Sequence, residues 1–145
     1  MASRRDQILA AVVAILNGAG KPADTTVERY RTLPLTTEGA WILVYPMIEA
    51  TERAPTPSGR LARRKLRVRC ECRAQGEQVD QVLDPLLLWT VKALMADPSL
   101  GGVAINVQEE ATQWDAEDAD KVYGAAAVDF TIDYQTAAAD PSAAS

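Results

Sequence analysis

Residues 77–134, EQVDQVLDPLLLWTVKALMADPSLGGVAINVQEEATQWDAEDADKVYGAAAVDFTIDY, carry the pattern on which the fold turns. Over 77–97, Val79, Val82, Leu83, Leu86, Leu87, Val91 and Leu94 recur at helical spacing, which predicts an amphipathic helix. Pro85 lacks the donor that a helix interior uses. It either kinks this helix or, with Asp84, forms its capped start. Asp97-Pro98 ends the helix and Gly101-Gly102 turns the chain. Residues 103–114 and 122–135 then alternate as strands, the second with Val128, Phe130, Ile132 and Tyr134 on one face. Near Leu88 and Trp89 the apolar arc of the helix widens, so it needs cover on a second side. A neighbouring subunit or the first helix would supply it.

Outward from this stretch, the N-terminus MASRRDQILAAVVAILNGAGK has the outline of a signal peptide but the details of a helix. Ser3 and Asp6 form a capping pattern. Ile8, Leu9, Val12, Val13, Ile15 and Leu16 are helically spaced, and Asn17-Gly18 supplies a stop. Residues 25–32 read as a short edge strand, and 40–48, AWILVYPMI, as a well-buried one. Pro46 should lie at an edge or bulge of it, or end its regular pairing. Residues 51–59 read as a loop. In 61–74, Leu66, Val68, Cys70 and Cys72 share one face, and Arg63, Lys65, Arg67, Arg69, Glu71 and Arg73 the other.

These elements predict an α+β fold, a mainly antiparallel sheet of four to five strands packed against two helices. At 145 residues the chain is one domain's worth. Residues 1–136 form that domain, and 137–145, AAADPSAAS, are expected to be a flexible tail. No run is apolar enough to cross a bilayer, and no membrane partner is expected.

Composition narrows the chemistry. The chain has no histidine, which removes histidine-based triads and acid–base catalysis. Cys70 and Cys72 point to one face of a strand and have no second cysteine pair, so core thiols are favoured over a metal site or a disulfide. Asp115, Glu117, Asp118 and Asp120 lack the mid-loop glycine and terminal glutamate of a calcium loop, so a solvated acidic turn is the better reading. Gly18-Ala19-Gly20-Lys21 follows a helix rather than opening one, unlike a phosphate loop. No cofactor and no catalytic residue is expected.

Charge is the stronger signal. Eight of the fifteen basic residues lie between Arg53 and Arg73, whereas from Asp97 onward there are ten acidic residues and one lysine, Lys121. Three readings fit. An exposed strand face is protected by like charges; a strip faces DNA phosphates; or the basic ribbon of one copy meets acidic residues of the next in a head-to-tail ring. The arginines have no aromatic residues among them in sequence, which argues against base stacking.

The helix, the DPSLGG break, the Trp114 to Asp120 connector and the closing strand VDFTIDY resemble the C-terminal half of tail terminator proteins of long-tailed bacteriophages. The resemblance extends less specifically over most of the chain. It implies a non-enzymatic virion protein, assembled in the host cytoplasm and located at the neck-proximal end of the tail. There it forms a hexameric ring that caps the tail tube, ends its polymerisation and joins it to the head-side connector. Its expected partners are further copies of itself, the tail tube protein and a connector or neck protein, with DNA passing through the lumen without specific binding. The family has no short catalytic motif to carry over.

On this reading Arg63, Lys65, Arg67, Arg69, Leu88 and Trp89 are candidates for the subunit interface or lumen. Arg53, Pro55, Pro57, Asp115, Glu117, Asp118 and Asp120 are candidates for axial contact loops. A neck or head-completion protein is the alternative from the same class. A small nucleic-acid-binding module built on residues 60–73 is the alternative from another.

Overall fold

The computed structural model describes residues 2–29, 39–53, 60–75, 79–115 and 123–144. Its elements are helix α1 (Arg4–Leu16), strands β1 (Thr25–Arg29), β2 (Gly39–Arg53) and β3 (Leu61–Gln75), helix α2 (Val79–Met95), and strands β4 (Asn106–Asp115), β5 (Tyr123–Ala137) and β6 (Asp140–Ala144). One sheet holds all six strands in the order β1-β2-β3-β5-β4, with β6 also paired to β5. The pairs β2–β3, β3–β5, β4–β5 and β5–β6 are antiparallel, and β1–β2 is parallel.

This corrects the expected α+β fold. Strands dominate, the sheet is mixed, and it has six strands rather than four to five. Alternation along a strand fixes which residues share a face but not the direction of its neighbour, so the parallel β1–β2 pair left no mark in the side chains. The chain's last segment, expected to be a loose tail, forms β6. Its alanines and serines have little apolar surface to show a pattern, and Asp140 organises the turn locally by accepting from the Ser142 amide and hydroxyl.

The two helices lie on the same side of the sheet, where their apolar stripes meet the inward residues of the long strands. Ile8, Leu9, Val12 and Leu16 from α1 and Leu83, Leu86, Leu87 and Leu94 from α2 are buried together with Ile42, Val44, Leu66, Val68, Cys70, Cys72, Val128, Phe130 and Ile132. The Ser3 hydroxyl accepts from the Asp6 amide at 3.1 Å, so α1 begins at the capping pattern read from the sequence. Pro85 lies inside α2, on its exposed side, and the helix continues through it.

The DPSLGG break has a local cause. Asp97 accepts from the Ser99 hydroxyl and amide and from the Gly101 amide, and these bonds hold its carboxyl below the usual range. Gly101 and Gly102 take positive φ, and so does Leu100 (φ 50), whose buried side chain locks the turn onto the core. Pro46 also finds its expected place. The β2–β3 register shifts between Pro46 and Ile48, and among the described residues no strand pairs the outer side of β2 beyond Arg29's partner, Val44.

Candidate functional site

The register of β3 between β2 and β5 builds the charged face. Residues opposite one another in a sheet point to the same side. Tyr45 stands opposite Arg69, Trp41 opposite Arg73, Asp129 opposite Arg69 and Asp133 opposite Lys65. Arg63, Lys65, Arg67, Arg69 and Arg73 therefore gather on the side of the sheet away from the helices. They share it with Glu52, Glu71, Asp129 and Asp133.

These opposite charges pair. Arg69 donates to both oxygens of Asp129, at 2.8 and 3.1 Å, and Arg67 approaches the same carboxylate at 3.5 Å. Asp129 is 3% exposed, so its charge is stabilised chiefly by that bidentate contact. The contact in turn holds the Arg69 guanidinium above its ordinary range. Arg73 bonds Glu71 at 2.8 Å, and Lys65 lies 3.8 Å from Glu52. Burial, and then the Glu71 charge, push the Tyr45 phenol up. The pairing is not seamless: Arg67 Nε and Asp133 Oδ1 are buried with no hydrogen-bond partner among the described residues. The ribbon is thus largely neutralised by its own sheet, which lowers its attraction for phosphates.

Arg64 leaves the ribbon. It points to the helix side, where it donates to the Thr136 hydroxyl and lies 3.6 Å from Glu49. Glu49 also accepts from the Tyr134 hydroxyl and lies 3.8 Å from Arg5. Burial first, and the Glu49 bond second, push the Tyr134 phenol up. This network closes the core beneath the start of α1.

The candidate interface residues occupy two separate surfaces. Arg63, Lys65, Arg67 and Arg69 lie together on the open face. Leu88 and Trp89 belong to α2, across the sheet from them. Trp89 is used internally: its Nε1 donates to the Leu16 carbonyl at 3.0 Å, and its ring packs on Gly20. The end of α1 thus covers that side of α2, while Leu88 stays 59% exposed. Of the axial candidates, Pro55, Pro57, Glu117, Asp118 and Asp120 lie outside the described residues. Arg53 ends β2 and Asp115 ends β4.

The open face also carries groups the sequence reading passed over. Asp129 is the partner that organises the ribbon, and Trp41 and Tyr45 supply aromatic neighbours for arginines that have none nearby in the chain. Asp129, Thr131 and Asp133 do alternate with the core residues of β5, but only the register shows which arginines they meet. Large exposed apolar side chains were missed as well: Met47, Ile48, Ile105 and Trp114.

The depressions lined by described residues are small. One of about 150 Å³ is bounded by Arg69, Glu71, Gln113, Trp114, Ala125, Ala126 and Ala127. Another of about 260 Å³ lies between Arg4, the 102–105 segment and Tyr134. Both fall below the usual size of small-molecule sites, and neither sets a nucleophile beside a base. Cys70 and Cys72 are wholly buried; burial pushes the Cys70 thiol well up and the Cys72 thiol to about 12. Among the described residues, no cluster of three or more metal-ligating side chains occurs, and no helix is long and apolar enough to cross a membrane. No protein-family model matches the chain, and no curated protein matches it.

Proposed function

We propose that this chain is a structural protein of a bacteriophage tail: a terminator subunit whose ring caps the tail tube, stops its polymerisation and meets the head-side connector. The observation that carries the reading is a broad sheet covered by helices on one side only, with its charges compensated on the other and no catalytic constellation among the described residues. Such a surface suits contact with other subunits better than turnover of a substrate. The resemblance of residues 77–134 to tail terminators names the assembly and implies six copies. The compensated ribbon suits a lumen wall, because DNA must slide past it without being held.

Negative-stain microscopy of the purified protein, with and without tail tubes, tests this. Rings of six seated on tube ends are expected. Monomers that ignore tubes would overturn the reading, and rings that bind only the head-side connector would move it to a neck protein. One observation favours a nucleic-acid module instead, namely Trp41 and Tyr45 aligned with Arg73 and Arg69. That alternative predicts retardation of DNA with a steep salt dependence, whereas a terminator predicts little retardation.

A further inference from the structure

Helix α2 buries one face and leaves the opposite one uncovered. Gln81, Pro85, Leu88, Lys92 and Met95 recur at alternating spacings of four and three, so they line a single outward stripe. All five are exposed, Leu88 at 59% and Met95 at 38%. Trp89 turns aside to the end of α1 through its bond to the Leu16 carbonyl, so α1 covers that flank and not the stripe. An exposed leucine needs no explanation by itself. What selects a partner here is the charge around it.

Asp84 and Lys92 stand one helical turn before and one turn after Leu88, and both are exposed. Along the axis they are about 12 Å apart, too far to pair with each other. Neither forms an ion pair among the described residues. Pro85 adds a third polar group. Without an amide hydrogen, it leaves the Gln81 carbonyl lacking the donor that a helix supplies four residues on. Helix carbonyls point toward the C-terminal end, so this acceptor lies near the level of Asp84.

We infer that α2 pairs with α2 of a second copy, antiparallel, about a two-fold axis through Leu88. That operation sets Leu88 against Leu88 and brings Asp84 of each copy to the level of Lys92 of the other. The Lys92 ammonium has donors enough for both the carboxylate and the Gln81 carbonyl. A parallel pairing would set Asp84 against Asp84 and Lys92 against Lys92. Charge therefore selects the antiparallel arrangement, and with it a copy of the same helix as the occupant. The contact is isologous and closes at two copies, so it is separate from the flank contacts of a ring and does not rest on that reading. Exposed ion pairs contribute little each, and the apolar contact is limited to Pro85, Leu88 and Met95. The dimer is accordingly weak and reversible.

Sedimentation velocity over a concentration series, without tail tubes, tests the pairing through charge. The unaltered chain should move from its 15.7 kDa monomer to twice that mass as concentration rises, and less readily in high salt. Asp84→Lys and Lys92→Asp, each alone, set like charges opposite one another and should stay monomeric. Their equimolar mixture should form a dimer, and a chain carrying both changes should dimerise as the unaltered one does. Both side chains are exposed, so circular dichroism should be the same throughout. Leu88→Cys tests the axis without charge: mild oxidation should join two copies through it, while Cys70 and Cys72 stay buried thiols. An unaltered chain that is monomeric at every concentration would overturn the inference. So would a single reversal that leaves the dimer intact, a mixture that stays monomeric, or a Leu88→Cys chain that does not cross-link. A dimer that ignores tube ends would sink the terminator reading alone. Rings on tube ends formed by a chain that never pairs in free solution would sink this inference alone.

Discussion

The two faces of β3 are held by different physics. On the helix side, Leu66, Val68, Cys70 and Cys72 are sealed beneath α1 and α2 and contribute through burial. On the open side, the intervening Arg63, Lys65, Arg67, Arg69 and Arg73 contribute through opposite charges brought by β2 and β5. Burial is cooperative and unaffected by salt screening; partly exposed ion pairs are weaker and screened. The difference teaches that the helix side carries the burial on which folding rests, while the open side is held by charge that salt can weaken.

The sharpest way to break that comparison is on the covered side. Phe130→Ala empties the centre of the core and should cost about 3–5 kcal/mol, read as a fall in the denaturant midpoint at unchanged slope. Asp129→Ala strands Arg69 and Arg67 and should cost about 2 kcal/mol, less than a fully buried pair because both arginines reach solvent. It should also make the open face basic enough to retard duplex DNA at low salt more strongly than the unaltered face does.

The buried thiols separate the faces by pH. Their pKa values are raised by folding, so the folded chain keeps protons that the unfolded one releases. The stability they contribute is complete below an ordinary thiol pKa near 9 and is lost progressively as pH rises toward about 12. Alkaline unfolding with Cys72→Ala as the comparison checks the sign, and the native thiols should resist alkylation at pH 8 until the chain unfolds. The smallest effect belongs to Lys65→Ala. Its partner Glu52 is as exposed as Lys65 itself, so a loss of roughly 0.5 kcal/mol or less is expected, vanishing in high salt.

Legibility in the sequence followed the same division. The helix-side residues of β3 and β5 could be read because burial imposes a period on one strand alone. The capped start of α1, the α2 stripe and the bulge at Pro46 were legible for similar local reasons. The pairing of Arg69 with Asp129 was not, since it depends on the register of residues 60 positions apart. Strand β1 was legible as a short edge strand but its parallel direction was not, and the last strand, Asp-Pro-Ser-Ala-Ala, left no periodic signal, so the strand count fell short by that one. Leu88 and Trp89 looked alike in sequence, yet a hydrogen bond to Leu16 commits one to the fold and leaves the other outside it.

Denaturant titrations of Phe130→Ala and Asp129→Ala, each at low and at high salt, test most directly whether the two faces of β3 are held by different physics. The cost of Phe130→Ala should be the same at both ionic strengths, and that of Asp129→Ala should shrink in high salt. A cost of Phe130→Ala that fell with salt, or one of Asp129→Ala that did not, would contradict the account.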